Sequence, residues 1–211
     1  MSLFADTMEW FSSGAPIARR LLEHLGLSTL VLLIAAIIAV PIGLWVGHAR
    51  RGEAAVAAVG NLGRSLPTLG LVTLLGLGLG IGLKAPVVAL VIVAIPPLLA
   101  GSYSAISSVD PLVVRSAYSQ GMTTRQVLSL VEIPLGWPVF FGALRTAVIQ
   151  VVATATLAAY VADVGLGRFI LHGLKASDYG EMIGGSLVVI ALALILEVFF
   201  EISAVFTGRK K

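Results

Sequence analysis

Arg145, Glu197 and Glu201 are the ionisable residues that fall well inside long apolar runs of this sequence. Charge in hydrocarbon is costly and is normally paired or hydrated, so the first chemistry to expect of them is mutual. Glu197 and Glu201 stand four residues apart and project from one helix face. Arg145 lies about seven residues, roughly 10 Å, inside its run; Glu197 and Glu201 lie roughly 14 and 8 Å from the end of theirs. The depths match, and the sequence predicts a structural ion pair, with Glu201 as the nearer partner. The bland alternative is separate contacts with interfacial water or partner chains.

A second polar set is uncharged. Thr146, Gln150 and Thr154 recur every four residues and share one helix face. Such a stripe either joins helices by hydrogen bonds or lines a water-filled path. With Thr68, at the entry Ser65-Leu66-Pro67-Thr68, Gln150 and Thr154 form the candidate translocation path.

Covalent chemistry finds no support. His24, His48 and His172 are far apart, without an i, i+4 pair, and there is no cysteine. No metal site is expected from these spacings. No Gly-x-Ser-x-Gly elbow presents a nucleophile. Gly76, Gly78, Gly80 and Gly82 do not have phosphate-loop spacing, and no Gly-Lys-Ser/Thr follows. These glycines permit close helix packing or an unwound helix end. The sequence predicts no catalytic residue and no cofactor.

The elements that position these groups are set by lipid. The chain has 211 residues, 58% hydrophobic and 12% charged, with mean hydropathy +1.01. Soluble domains carry roughly 25% charged residues, so the fold class is an all-α integral membrane protein. The net charge of +3 does not indicate nucleic acid, because the basic residues are scattered. Residues 3–22, with Asp6, Glu9, Arg19 and Arg20, read as an interfacial helix, giving an N-terminal segment of residues 1–24. Five spans are expected, at about 26–47, 66–82, 87–103, 139–162 and 182–206, within a domain of residues 25–206. A basic tail occupies 207–211. Pro41 should kink the first span unless neighbours satisfy the freed carbonyl, and Pro96-Pro97 should break or strongly bend the third.

Residues 110–138, DPLVVRSAYSQGMTTRQVLSLVEIPLGWP, are the sizeable polar insert. Asp110-Pro111 starts a helix, with Val113, Val114, Ala117 and Tyr118 as its apolar stripe. Gly121 stops it with a positive φ. Thr123 or Thr124 caps a second short helix, and Pro134 and Pro138 end that one.

Ala117, Gly121 four residues on, and Ile133-Pro134 resemble the cytoplasmic "EAA…G…LP" coupling loop of ABC-importer permeases. The family's glutamate position is Arg115 here, and its first alanine is Ser116. The resemblance implies that Arg115, Ser116, Ala117, Gly121, Met122, Thr123 and Pro134 contact an ATPase subunit. His24-Leu25-Gly26-Leu27-Ser28, Ala39-Val40-Pro41-Ile42-Gly43, Ser65-Leu66-Pro67-Thr68-Leu69, Thr154-Ala155-Thr156-Leu157 and Gly165-Leu166-Gly167 are similar to permeases of osmoprotectant importers. This likeness spans residues 24–205. It implies a type I importer transmembrane domain for glycine betaine, carnitine, choline or related quaternary amines. The implied partners are an ATPase dimer that uses ATP and magnesium, a second permease and an extracytoplasmic binding protein. Methionine permeases are the nearest alternative within the fold, and an ATP-independent channel is the other class. Cation–π cages hold quaternary amines. Tyr160 is the one obvious aromatic on the path-facing half of the fourth span, so selection is expected to rest with the binding protein.

Basic residues set orientation. Arg50, Arg51, Arg64, Arg115, Arg125, Arg209, Lys210 and Lys211 would share one side. Arg19, Arg20, Lys84, Arg168 and Lys175 would share the other. Eight against five predicts N-out and C-in in a bacterial cytoplasmic membrane, with residues 110–138 in the cytoplasm.

Overall fold

The computed structural model describes residues 3–208, with side chains to residue 204. Arg209, Lys210 and Lys211, which entered the charge count, lie outside the described residues. Every regular element among the described residues is helical. In chain order these are α1 (Leu3–Ser12), α2 (Ile17–His48), α3 (Glu53–Ser65), α4 (Thr68–Leu79), α5 (Lys84–Ser107), α6 (Pro111–Ser119), α7 (Thr124–Gln126), α8 (Ile133–Thr154), α9 (Gly167–Ala176) and α10 (Tyr179–Gly208).

Four continuous helical stretches are long and apolar enough to span a bilayer: Ile17–His48, Lys84–Ser107, Thr124–Tyr160 and Tyr179–Ala204. The pair α3 and α4 is bent by 82° at its break and makes a fifth span when the two helices are counted as one. The break follows from Pro67, which holds Leu66 extended at φ −74°, ψ 121°.

Helix α5 is the axis of the molecule, with two thirds of its apolar window buried. Leu27, Val31, Ala35 and Ala39 of α2 form a stripe of period four against Leu90, Ala94 and Leu98 of α5. Gly43 and Gly47 continue that stripe. A side chain at Gly43 would meet the carbonyl of Leu99 at 2.7 Å, and one at Gly47 the carbonyl of Tyr103 at 2.9 Å. Lipid does not drive helices together as water does, so close backbone approach through small residues supplies the packing. On the other side of α5, Gly101 touches Ala143 and Gly136 touches the Ala105 carbonyl.

Several sequence expectations are corrected. The interfacial helix of residues 3–22 is two pieces. Gly14, at φ +77°, and Pro16 break it, so α1 ends at Ser12, and Arg19 and Arg20 belong to the first turns of α2. Pro41 lies inside a continuous α2, and Pro96-Pro97 lie inside a continuous α5. Pro96 is buried against Gly63 of α3, so a neighbouring helix covers the turn that the prolines weaken. Pro134 and Pro138 do not end a short helix either. The chain runs as one helical stretch from Thr124 to Tyr160, with a π segment at Val127–Glu132 and a 3₁₀ segment at Ala155–Tyr160. Pro134 sits at the start of α8, directly after the wider π turns, where a missing N–H is tolerated. Arg64 follows Gly63, which packs on Pro96 midway along α5, so it lies partway along the bundle and not level with Arg50 and Arg51.

Candidate functional site

Polar groups gather at the two ends of the bundle. At one end the last turn of α2 meets residues 109–132. An Arg50 guanidinium N–H donates to the Val109 carbonyl at 2.7 Å. His48 Nδ1 lies 2.5 Å from Oε2 of Glu132, which is fully buried at the end of the π segment. Tyr118 of α6 places its hydroxyl 3.4 Å from His48 Nε2. The other glutamate oxygen, Oε1, is buried with no hydrogen-bond partner among the described residues. His48, at the end of α2, thus meets both Glu132 of the fourth span and Tyr118 of α6.

The loop itself is built by local rules. The Asp110 carboxylate accepts the Leu112 N–H at 2.8 Å, with Pro111 at the first helical position. Gly121 adopts φ +86°, and its α-carbon faces open space. Thr123 and Gln126 form a reciprocal capping box: the Thr123 N–H donates to Gln126 Oε1 at 2.8 Å, and the Gln126 N–H donates to Thr123 Oγ1 at 3.4 Å. Val109, Val114, Ala117 and Val127 form a small separate core, with Met122 and Val131 against it. The expected stripe is therefore narrower than four residues, because Val113 and Tyr118 point outward.

This divides the predicted docking residues. Arg115, Ser116, Gly121 and Thr123 are exposed on the loop. Ala117 is buried and Met122 half-buried in the small core, where they hold the two helices together. Pro134 is exposed, but on the span helix beyond the loop.

Farther along the fourth span, the Arg145 guanidinium contacts both Glu201 and Glu197 of α10. The helix begins at Thr124, so Arg145 sits deeper along it than a start at residue 139 implied. Arg145, Thr146, Gln150 and Glu197 line one open cavity of about 540 Å³. Of the three path candidates, Gln150 is in this cavity and the other two are not. Thr154 turns its hydroxyl back to the carbonyl of Gln150 at 2.7 Å. Thr68 is half-buried at the start of α4.

The opposite end is closed by residues that spacing alone did not associate. Arg20 donates to the Asp163 carboxylate at 3.0 Å and to Glu23 at 2.8 Å, while Glu23 accepts the Gly165 N–H at 3.2 Å. His24 is fully buried. Its Nδ1 accepts the Leu166 N–H at 3.4 Å, and its Nε2 lies 2.9 Å from the Val152 carbonyl, which fits a neutral ring protonated at Nε2. Gly165, at φ +74°, lets the chain turn against that ring. Period-based reading cannot find such contacts, because the partners lie more than a hundred residues apart. The Gly165-Leu166-Gly167 sequence was the available signal.

The described residues contain no group of three or more His, Cys, Asp or Glu side chains that could hold a metal ion. The arrangement offers a doubly capped polar loop at one end, a cavity with polar residues along α8, and an opposite end tied together through Arg20, Glu23 and His24.

Comparison with known proteins matches this architecture. The glycine betaine/carnitine/choline transport system permease protein OpuCB of Bacillus subtilis (strain 168) is 32% identical over 186 residues, covering 88% of this chain and 86% of that protein. The osmoprotectant import permease protein OsmW of Salmonella typhimurium is 31% identical over 198 residues, covering 91% and 92%. Among solved structures, an inward-facing form of the MetNI methionine ABC transporter superposes with a TM-score of 0.78 at 21% identity, covering 91% of this chain and 96% of that one. An amino acid ABC transporter gives 0.70 at 18%, covering 97% and 98%. These two likenesses carry the fold. Residues 39–210 match the family described as binding-protein-dependent transport system inner membrane component. The chain belongs to that family and is a permease subunit of an ABC importer.

Proposed function

We propose that this permease moves osmoprotectants of the quaternary-amine class, such as glycine betaine, carnitine and choline, into the cell by ATP-driven alternating access. The observation that carries the mechanism is the loop at residues 110–132. Its helices are capped at Asp110 and Thr123, its outer face carries Arg115, Ser116, Gly121 and Thr123, and its inner face is tied to α2 and the fourth span through Glu132. A push on such a loop reaches the spans instead of dissipating in a flexible connection.

In this reading two ATPase subunits hydrolyse ATP with magnesium and move the loops of two permeases, identical or homologous. An extracytoplasmic binding protein delivers solute. The loop faces the cytoplasm, the N-terminus faces out, and the assembly sits in a bacterial cytoplasmic membrane. The path follows the Gln150 face of α8, and Arg145 with Glu197 and Glu201 clamps the fourth and fifth spans. The solute class rests on the relatives named above, and selection rests with the binding protein.

The test is copurification of the chain with its ATPase and binding protein, reconstitution in vesicles, and uptake of labelled glycine betaine. ATP-dependent accumulation, competed by carnitine or choline, is expected. Methionine uptake would favour the methionine-permease alternative, and equilibration without ATP would indicate a channel.

A further inference from the structure

We infer that a basic recess between the end of α2 and α6 receives a carboxylate side chain from the ATPase subunit. This rests on the reading of residues 110–132 as the ATPase-docking loop, and it names the chemistry of that contact.

The recess has a volume of about 260 Å³ and is lined by His48, Arg50, Pro111, Val114, Arg115 and Tyr118. Pockets for free small molecules are typically about 300–1,000 Å³, so this one suits an inserted side chain better than a metabolite. Its charge is one-sided. Arg50 is held in place by its bond to the Val109 carbonyl, and a guanidinium has further N–H donors to offer. Arg115 is exposed and has no ion-pair partner among the described residues. No acidic residue lines the recess. Glu132 lies behind it, but is buried and engaged by His48. Asp110 spends its carboxylate on the Leu112 N–H. Among the described residues neither arginine has an ion-pair partner, and a planar guanidinium matches a carboxylate in bidentate geometry. Pro111 and Val114 offer apolar wall to the stem of an entering aspartate or glutamate.

A lipid headgroup is the rival anion. The recess opens against α6, whereas the apolar groove of Ile42, Trp45 and Val59 carries Arg51 instead.

The test uses the whole permease–ATPase complex carrying Arg115→Lys, treated with a carbodiimide, which joins an amine to a touching carboxylate as an amide without a spacer. Mass spectrometry should find the substituted side chain linked to an aspartate or glutamate of the ATPase, with Arg51→Lys giving no such link. In parallel, Arg115→Glu should lower the ATPase retained on the purified permease by about tenfold, as like charges meet across the interface. An intact complex that yields no permease–ATPase amide at position 115 overturns the inference. So does loss of bound anionic lipid in Arg115→Glu with ATPase retention unchanged. If the unaltered permease retains no ATPase, the docking reading fails first and the inference falls with it.

Discussion

His48 and Glu132, 84 residues apart, meet through Nδ1 and Oε2 at 2.5 Å, and this contact joins the end of the first span to the start of the fourth. Leaving a buried hydrogen-bonding group without its partner costs about 1–3 kcal/mol. His48→Ala should therefore lower the melting temperature of the purified protein sharply. Glu132→Gln, which keeps a hydrogen-bonding oxygen, should cost much less. Equal losses from both substitutions in a thermal unfolding series would show that the pair is not what holds this corner.

The Arg145 clamp predicts an asymmetric mutational pattern. Arg145 contacts both carboxylates, so Glu201→Gln leaves one partner in place and should be mild. Arg145→Ala leaves two carboxylates four residues apart without a counter-charge, and should reduce the amount of folded protein. Adding Glu201→Gln to Arg145→Ala should recover part of it. The readout is the monodisperse fraction after detergent extraction, and no recovery in the double variant would argue against a clamp.

Gly121 has space around its α-carbon, and its constraint is the backbone. Gly121→Val should stay in the membrane but lose solute-dependent ATP hydrolysis, because a β-branched residue resists φ +86°. Gly121→Asn should retain most of it, since asparagine tolerates left-handed backbone. Equal activity of the two variants in the reconstituted complex would remove the bend from the coupling mechanism.

Sidedness is open to direct labelling. A single cysteine replacing Lys175 should react with an impermeant thiol reagent from outside intact cells, and one replacing Arg125 should not. The reverse pattern would invert the topology and take the docking loop out of the cytoplasm.

What could be read in advance was local or periodic. The Asp110 cap, the positive φ of Gly121 and the Thr123 cap each depend on a few neighbouring residues. The pairing of Glu197 with Glu201 on one face followed from helix period, while the depth of Arg145 was misjudged because its helix begins at Thr124. Residues 132 and 48 gave no such signal. Glu132 read as one more residue on a short helix, and His48 as one of three scattered histidines. Prolines misled for a physical reason. In water a buried proline turn is a place to stop, whereas in a membrane bundle a neighbouring helix covers it, as Gly63 covers Pro96. The Ala35, Ala39, Gly43, Gly47 ladder was not picked out in the sequence, because its importance comes from the α5 backbone lying against it.

The π segment at Val127–Glu132 also acts as a phase setter. Such a segment arises as a one-residue bulge in an α-helix, and one residue corresponds to about 100° around the axis. Every side chain from Ile133 onward is turned by that amount relative to an uninterrupted helix. Whether Arg145 points at α10 or at lipid is thus decided a dozen residues earlier, at the junction of the 110–126 loop and α8. A change in how those turns are wound would rotate the whole polar face of the fourth span without altering a residue in it.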